Sequence, residues 1–322
     1  MMTNSVSPFF SVLVAAYNVE RYLDQCLESL KLQTFQDVEF IIVDDGSTDK
    51  SNEICKKYIS VDSRFKLVKH IKNQGLLSAR LTGVLSSKGK KIVFLDGDDY
   101  LAGENTLSTL FEQLSQKDVD ILQFNVDVVG GDPLANQRKK LWLNSGGRPQ
   151  NGSVQILRLI YDLHACGWNL WNKVFSGEIV RAAAKHIVNE HHILGEDAYQ
   201  LFIYAYYSKS YLKFESKPLY CYRILSGVST SKVTIENVKK SAQEVKIISW
   251  LREFLDSQHA SAYHYYLLKR LGYFLTLIAH DRVSQLPANS QCLGYLVLLK
   301  RYPFRSVLSV LKRAITKLYR KA

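Results

Sequence analysis

Alternating runs of apolar and polar residues over the first 130 positions predict strands separated by helices. Four short runs, rich in β-branched and aromatic residues, are typical of buried strands and cover 10–16, 38–43, 65–70 and 91–95. Between them, apolar residues at helical spacing cover 19–33, a segment ending at Tyr58, and 76–86. Because helices cross over between the strands, the pattern predicts an α/β domain with a mostly parallel sheet flanked by helices.

The second part of the chain shows a less regular pattern. An apolar run over 119–126 is followed by a polar segment, 130–152, which we predict to be a loop. The aromatic stretch CGWNLWNKVF, the acidic pair of LGEDAYQ at a helix start, and YCYRILSGVSTS come next. From about Thr234 to the end the spacing is helical, which predicts a helical C-terminal extension.

Polar residues follow three of the predicted strands: Tyr17-Asn18, Asp44-Asp45 and Asp96-Gly97-Asp98. In a parallel sheet, ligands bind beyond the carboxyl ends of the strands, so these residues are expected to line one crevice. The segment KIVFLDGDDYL places three carboxylates close together, and they repel one another unless a cation or a hydrogen-bonding ligand lies between them. A solvated acidic turn is the alternative for an isolated D-x-D, and the convergence of three strand ends favours a binding site.

Composition indicates a packed globular protein of 322 residues, with 47% hydrophobic residues and six prolines. The five cysteines are odd in number and lack zinc-like spacing, so we expect thiols in a reducing compartment. The first residues lack the basic segment of a signal peptide, and no apolar run is long enough to span a bilayer. These features predict a cytoplasmic location.

Positive charge is concentrated at the end of the chain. The net charge is +12, but eight basic residues and no acidic residue follow Gln291, which leaves +4 on the preceding 290 residues. The segment YPFRSVLSVLKRAITKLYRKA combines an apolar stripe with basic neighbours, and such a helix either packs on its own domain or docks on anionic lipid. We predict docking at the membrane surface. Nucleic acid is not an expected partner, because the crevice is acidic.

Several segments in this order resemble glycosyltransferase family 2: SVLVAAYNVERYLDQCLESLKLQTFQDVEFIIVDDGSTD, GLLSAR, FLDGDDYL and GED. The resemblance covers about residues 9–230 and implies inverting, nucleotide-sugar-dependent chemistry on the GT-A fold, a Rossmann-like sheet. It predicts a catalytic domain over 1–232, with a nucleotide-sugar half at about 9–126 and an acceptor half at about 127–232. Residues 233–322 then form the helical extension with the basic tail.

A divalent cation suits such a reaction, because the nucleoside diphosphate leaves with developing negative charge that a cation neutralises. Oxygen ligands favour Mg²⁺ or Mn²⁺. By the resemblance, Asp98 binds the metal, Asp96 lies near the ribose, and Asp99 supports the turn or the metal's water shell. Gly97 gives the phosphates room to approach the backbone.

The resemblance also assigns residues to the nucleotide. Asp45 is expected to accept a hydrogen bond from the uracil ring, Tyr17 to stack near the base, and Ala15 to offer backbone contacts. Asp44 is expected to be structural. Arg80 is expected to contact the nucleotide side of the site, and the alternative is a surface arginine on a helix.

An inverting transfer needs a general base that takes the proton of the attacking hydroxyl. In the family this base is the aspartate of an E-D pair that begins a helix, which matches Glu196-Asp197. Asp197 is therefore the expected base, and Glu196 is expected to orient the site or touch the sugar. Simple helix capping by Asp197 is the alternative.

Acceptor contacts are expected from the aromatic stretch and from a later loop. Trp168, Trp171 and Lys173 resemble the family's acceptor-side W-x-K segment, although tryptophans are also common in cores. Arg223, with Ser226 and Ser229, resembles a mobile Y-R…S-x-S loop that closes on the diphosphate as a second cation.

Competing functions lack their sequence signals. A dinucleotide-dependent oxidoreductase needs G-x-G-x-x-G after the first strand, where this chain has AAYNVE. A sugar nucleotidyltransferase usually begins with a glycine-rich basic loop, and a catalytically weak glycan- or nucleotide-sugar-binding relative would lack a key carboxylate. The sequence therefore predicts an inverting glycosyltransferase that uses Mn²⁺ or Mg²⁺ and moves a hexose or N-acetylhexosamine from a UDP-sugar to a hydroxyl of a glycan acceptor. The acceptor is expected to be lipid-linked and to belong to surface polysaccharide or lipooligosaccharide synthesis.

Overall fold

A computed structural model describes residues 7–190, 195–224, 234, 235, 238 and 244–301. The chain divides into two compact units, Met1–Thr230 and Ser231–Ala322. The first unit holds all the described strands. The predicted division of the catalytic domain into a nucleotide-sugar half and an acceptor half stays a prediction.

The strands of the first unit form two sheets. In chain order they are β1 (Phe10–Ala16), β2 (Val38–Asp44), β3 (Phe65–Lys69), β4 (Lys91–Asp96), β5 (Tyr100–Leu101), β6 (Ile121–Gln123), β7 (Val126–Val129), β8 (Gln150–Asn151), β9 (Lys173–Ser176), β10 (Ser210–Lys213) and β11 (Tyr220–Arg223). The larger sheet has the order β3-β2-β1-β4-β9-β6-β10-β8, and the smaller one has the order β5-β11-β7. Strands β3, β2, β1 and β4 are mutually parallel, while β9 runs antiparallel between β4 and β6.

Helices connect these strands. They are α1 (Glu20–Lys31), α2 (Ser51–Val61), α3 (Leu76–Ser86), α4 (Thr106–Gln116), α5 (Pro133–Leu143), α6 (Ser153–Tyr161), α7 (Gly177–Ala183) and α8 (Glu196–Tyr207). The second unit contains α9 (Glu244–Ser257), α10 (Ala262–Ser284) and α11 (Ala288–Arg301). The mixed α/β architecture with a mostly parallel, helix-flanked sheet confirms the predicted fold class.

The two faces of the central strands are covered by different helices. Val12 and Val14 belong to the same buried cluster as Leu23 and Leu27 of α1. The opposite face of β1 meets α3, where a Cβ added to Gly83 would lie 3.4 Å from the side chain of Leu13. Burial on both faces explains why these strands appear in the sequence as continuous apolar runs.

The prediction of a loop over 130–152 is wrong for about half of that segment, because helix α5 occupies Pro133–Leu143. Asp132 caps this helix, since its side chain accepts a hydrogen bond of 2.8 Å from the backbone N–H of Ala135. Proline at the first helical position supplies the remaining start signal. The sequence pattern did not indicate this helix, because its apolar residues lie on two sides of the helix and not in a single stripe.

The C-terminal prediction is tested only in part. Helical structure is present over the described part of 244–301, where α10 and α11 pack together around Val283 and Leu298. The basic tail, Pro303 to the end, lies outside the described residues. No helix in the described part of the chain is both long and apolar enough to cross a bilayer. Among the described side chains, Cys26, Cys55, Cys166 and Cys221 are buried thiols.

Candidate active site at the carboxyl ends of the central strands

Reciprocal hydrogen bonds join the loops that follow β1 and β2. The backbone N–H of Val19 donates to Ser51 Oγ at 3.0 Å, and that of Glu20 donates to Asp49 Oδ2 at 2.9 Å. In return, the backbone N–H of Lys50 donates to Glu20 Oε2 at 2.9 Å. These bonds satisfy N–H groups at the starts of α1 and α2, and they hold the two loops together at the edge of the crevice.

The predicted nucleotide residues of β1 lie at this edge. Ala15 is near the end of the strand, and its carbonyl accepts a hydrogen bond of 3.0 Å from the backbone N–H of Gly97. Tyr17 follows the strand and is 44% exposed, so its ring is accessible to a flat ligand. The predicted contacts of Ala15 and Tyr17 with a nucleotide stay predictions.

The two aspartates after β2 have different surroundings. Asp44 accepts hydrogen bonds from the backbone N–H of Ser47 and the amide of Asn52, as expected of a residue that shapes the turn. Asp45 is also buried, and Oδ1 accepts from the backbone N–H of Gln74 at 2.9 Å and lies 2.6 Å from His70 Nδ1. Its other oxygen, Oδ2, accepts a hydrogen bond of 2.8 Å from the backbone N–H of Gly75. A carboxylate oxygen has two lone pairs, so Oδ2 retains an acceptor position for the predicted uracil contact.

Gly97 lies close to the backbone of β1, and the room that it is predicted to give the phosphates stays a prediction. A Cβ on Gly97 would lie 2.9 Å from the carbonyl oxygen of Ala15 and 3.2 Å from Val19 Cγ2. The backbone of β1 therefore already requires glycine at this position, without any phosphate. Asp96 and Asp98 on either side are both partly exposed.

Asp99 is buried and supports the turn. Its Oδ2 accepts a hydrogen bond of 2.7 Å from the hydroxyl of Tyr220, and its Oδ1 accepts one of 2.7 Å from the backbone N–H of Arg223. Burial, together with the nearby carboxylates of Asp98 and Asp96, raises the pKa of Asp99 well above its usual value. These two hydrogen bonds thus join the turn after β4 to β11, a strand more than a hundred residues later in the sequence.

Arg223 lies at the end of β11 and not in the loop that was predicted for it. Its guanidinium donates to the carbonyl of Asp98 and to Gln25, and it stands 4.5 Å from the ring centroid of Tyr100. The side chain therefore supplies positive charge directly beside the acidic turn. Ser226 and Ser229, which the same prediction included, lie outside the described residues.

Arg80 joins the two halves of the site. The residue is 3% exposed, which excludes the alternative of a surface arginine. Its Nη2 donates to Asp96 Oδ1 at 2.8 Å, its Nη1 donates to Asp197 Oδ1, and Nη1 lies 3.8 Å from Glu196 Oε1. Burial disfavours the charged guanidinium, but the three carboxylates outweigh burial and raise the pKa of Arg80. Arg80 thus holds carboxylates in place, and its predicted contact on the nucleotide side stays a prediction.

Glu196 and Asp197 form the first turn of α8, after Gly195 at φ +81°. Burial raises the pKa of Asp197, opposed by the Arg80 guanidinium and reinforced by Asp96. Burial and then the adjacent Asp197 raise the pKa of Glu196 to about 8, opposed by Arg80. The buried carboxylate of Glu196 can therefore hold or take up a proton near neutral pH, beside the partly exposed carboxylate of Asp197.

We expect the stability of the protein to fall as the pH rises, because of Glu196. Its pKa rises from 4.5 to about 8 on folding, so between these values the folded state holds a proton that the unfolded state has lost. The stabilisation is complete below about pH 4.5 and is lost as the pH rises through about 8. The free energy of unfolding should drop on the order of 3 kcal/mol between about pH 5 and about pH 8, measured by urea denaturation.

Glu196→Gln removes the titrating group and should flatten this pH dependence. Glu178→Gln provides a matched control, since Glu178 occupies the exposed first turn of α7. If wild type and Glu196→Gln show the same slope, another group carries the pH dependence.

The predicted acceptor residues do not form a common wall. Trp171 is buried and stacks between the rings of Tyr220 and Tyr222, at centroid distances of 4.9 and 5.0 Å. It supports Tyr220, the partner of Asp99, so it positions the acidic turn and cannot present a ring face to a sugar. Trp168 is partly buried in the preceding loop, and its acceptor role stays a prediction.

Lys173 is fully buried beneath that loop. Its ammonium donates to the carbonyls of Gly167 at 2.8 Å and Asn169 at 2.6 Å, and to Asn172 Oδ1 at 2.8 Å. These bonds occupy all three N–H groups of the ammonium. Direct contact with an acceptor therefore does not fit Lys173, which fixes the conformation of the loop instead.

Lys173→Met should lower the free energy of unfolding by about 2–3 kcal/mol, because the carbonyls that the ammonium satisfies stay buried without a donor. Urea denaturation measures the change. Lys217→Met is the control, because Lys217 is exposed, and its effect should stay within about 0.5 kcal/mol. Equal stability of the two variants would show that water or a rearranged loop satisfies those carbonyls.

The end of β4 offers oxygen ligands suited to Mg²⁺ or Mn²⁺. Asp96 and Asp98 are partly exposed, whereas Asp99 is buried with both oxygens hydrogen-bonded. Within the described part of the chain, no three His, Cys, Asp or Glu side chains group into a metal cage. Mg²⁺ commonly binds one or two carboxylates and completes its shell with substrate phosphates and water. The residues present therefore fit a metal that binds together with a diphosphate.

Two residues of the site, Tyr220 and His70, were not predicted from the sequence. Tyr220 donates to Asp99 and accepts a hydrogen bond of 3.3 Å from the backbone N–H of Asp96. His70 bridges Asp45 and Thr82, whose Oγ1 lies 2.9 Å from Nε2. The alternation of YCYR was the available signal for Tyr220, whereas a histidine at a strand end gives no specific signal.

Comparison with protein families gives a match over residues 11–177 to the family described as Glycosyl transferase family 2. The matched residues include the ends of β1, β2 and β4 and the whole of α3. The match ends before α8 and β11, so Asp197 and Arg223 lie beyond it.

Curated relatives match part of the chain. An uncharacterized glycosyltransferase, EpsJ of Bacillus subtilis (strain 168), is 40% identical over 123 residues, which is 38% of this chain and 33% of EpsJ. Glycosyltransferase GlyG of Streptococcus pneumoniae serotype 4 is 37% identical over 130 residues, or 39% of this chain and 43% of GlyG. The chain thus spans less than half the length of these two relatives.

A solved structure matches almost the whole chain. S. aureus TarS 1-349 in complex with UDP-GlcNAc aligns with a TM-score of 0.60 and 19% identity, covering 91% of this chain and 88% of that one. At this identity the likeness shows the fold, which is the expected GT-A arrangement.

Proposed function

This chain belongs to glycosyl transferase family 2, and from that premise we propose that it transfers a hexose or N-acetylhexosamine from a UDP-sugar to a hydroxyl of a glycan acceptor, with inversion. The chain's place in the family supports glycosyl transfer, and the UDP-GlcNAc bound to TarS supports a UDP-sugar donor. The acceptor proposed here is lipid-linked, at the inner face of the cell membrane. The eight basic residues after Gln291 support that location.

One observation carries the proposal: the guanidinium of Arg80 contacts both Asp96 and Asp197. Asp96 belongs to the proposed donor side, and Asp197 is the proposed general base. A single buried cation therefore sets the distance between the place where the diphosphate leaves and the place where the hydroxyl attacks. Fixed geometry of this kind lowers the barrier of a two-substrate reaction.

The proposed reaction is a direct displacement. Asp197 takes the proton of the acceptor hydroxyl as the hydroxyl oxygen forms a bond to C1 of the donor sugar. The bond between C1 and the diphosphate oxygen breaks at the same time, and UDP leaves with the electron pair. Mg²⁺ or Mn²⁺, when bound at Asp98 with the diphosphate, neutralises charge on the leaving group. Arg223 adds a second positive charge beside Asp98, and Arg80 opposes protonation of Asp197 and orients its carboxylate.

The test is nucleoside diphosphate release from a panel of UDP- and GDP-sugars, with Mn²⁺ and with EDTA. We expect slow, Mn²⁺-dependent hydrolysis of one UDP-sugar and its loss in Asp98→Ala. Asp37→Ala is the matched control, because Asp37 is exposed and precedes β2 at the other end of the sheet, so it should keep wild-type activity. Neither hydrolysis nor Mn²⁺-dependent UDP binding across the panel would reject the proposal and favour a glycan-binding protein.

A further inference from the structure

Helix α5 has an exposed apolar face. At about 100° per residue, positions 134, 138, 141 and 142 fall within about 100° of one another around the helix axis. Leu134, Leu141 and Trp142 are 71%, 70% and 46% exposed. The opposite side carries Leu143, which is buried, and the helix packs there against β7. We call the exposed side, formed by Leu134, Arg138, Leu141 and Trp142, the α5 face.

One basic residue lies among these apolar side chains, and two more lie beside them. Arg138 is exposed and lies between Leu134 and Leu141 on the α5 face. Lys139 and Lys140 flank it and turn toward the domain, where their ammonium groups reach Tyr222 and Asp127. The sequence from residue 132 to 162 contains five basic residues and two acidic ones, of which Asp132 caps α5, so the net charge of this segment is positive. An anionic surface is therefore the electrostatically matched partner.

The α5 face borders the loop that Lys173 holds. A Cβ placed on Gly167 would lie 3.8 Å from Cη2 of Trp142, so the tryptophan ring reaches the loop that carries Trp168. Leu163, at the start of the same loop, is also exposed. The apolar side chains and the loop expected to meet an acceptor thus belong to one side of the first unit.

We propose that the α5 face docks on an anionic lipid bilayer, with Leu134, Leu141 and Trp142 entering the interfacial region and Arg138 contacting lipid phosphates. Leucine and tryptophan beside basic residues are the combination that binds this region. The docking itself does not depend on the donor or the reaction. Its value for catalysis rests on the proposed function, since it would bring a lipid-linked acceptor to the Trp168 loop.

Other occupants of this face fit its chemistry less well. Nucleic acid would meet the basic side chains but not two exposed leucines. The basic C-terminal tail of this chain would bring eight further positive charges against Arg138. A second copy of the chain would place two basic faces against each other, which like charges oppose.

Vesicle flotation of the full chain tests the docking. The vesicles contain either phosphatidylcholine alone or phosphatidylcholine mixed with phosphatidylglycerol. Replacing both Leu141 and Trp142 by serine should weaken partitioning to the anionic vesicles about tenfold. The control replaces two other exposed apolar residues, Ile71 and Leu85, by serine and should leave partitioning unchanged. Circular dichroism verifies that both variants are folded.

A second measurement locates the contact without weakening it. The chain has four tryptophans, and brominated lipid quenches only a tryptophan that enters the bilayer interface. Wild-type protein should be quenched on anionic brominated vesicles, whereas Trp142→Phe should still float and lose that quenching. Phenylalanine keeps the apolar contact, so this variant separates location from affinity.

The proposal fails on any of several results. One is that the wild type does not float with anionic vesicles at all, and another is that the Leu141 and Trp142 double variant floats as well as the wild type. The third such result is quenching that persists in Trp142→Phe. A lipid-free dimer that the double variant converts to monomer would identify a second copy as the occupant. None of these measurements uses donor or acceptor, so they leave the proposed transfer reaction untouched.

Discussion

Asp197→Asn should lower the rate of sugar transfer by about a thousandfold, because general-base catalysis typically contributes two to four orders of magnitude. Asparagine has nearly the same shape and keeps an oxygen that can accept the hydrogen bond from Arg80. The site should therefore stay assembled while the ability to take a proton is lost. Single-turnover release of UDP, with donor and enzyme preincubated, measures the effect on the chemical step.

The affinity for UDP with Mn²⁺ should stay within about threefold of wild type, since the proposed role of Asp197 is to take the proton of the acceptor hydroxyl and not to bind the donor. Glu178→Gln again serves as the control at the exposed first turn of another helix. A transfer rate near that of wild type would make Asp197 a helix-start residue without a role as base. Loss of UDP affinity together with the rate would place Asp197 on the donor side.

Arg80→Met should lower the free energy of unfolding by about 3–5 kcal/mol, the usual effect of removing one partner of a buried ion pair. Asp96, Asp197 and Glu196 would then face one another without the guanidinium. The loss should shrink as the pH falls, because the unpaired carboxylates take up protons and no longer repel. Urea denaturation at several pH values measures both the loss and its pH dependence.

Arg80→Lys should restore only part of the stability, because a lysine ammonium cannot bridge two carboxylates as a planar guanidinium does. Arg158→Met is the control, since the exposed Arg158 lies 4.0 Å from Asp162 and should contribute less than about 1 kcal/mol. A double-mutant cycle with Asp197→Asn measures the coupling directly. Independent, additive effects of the two substitutions would contradict the bridging role of Arg80.

Local patterns predicted the parallel part of the fold well. The strand over 10–16 and the helix over 76–86 match the observed bounds, and the other predicted strands of this part differ by one residue. Burial on both faces makes such strands continuous apolar runs, so each can be recognised without its neighbours. Helix α5 was missed because its exposed side is also apolar, and an apolar residue gives the same signal whether it meets the core or a partner.

Single residues of the site were harder to interpret than the elements that carry them. Motifs identified Asp96, Asp98 and Asp197, whose roles stay predictions. The environments of Arg80 and Lys173 could not be predicted, because the first depends on a contact across 117 positions and the second on carbonyl groups of a folded loop. A sequence records that a side chain is charged, but its burial and its partners come from other segments.

The sequence by itself determined the α/β class, the crevice at three strand ends and the resemblance to glycosyl transferase family 2, because each depends on local periodicity and short motifs. Only the tertiary structure decided that one buried guanidinium joins the acidic turn to α8, that Trp171 and Lys173 position other groups, and that α5 exposes an apolar, basic face. These features arise from long-range packing, which sets the solvation and the neighbours of every charge.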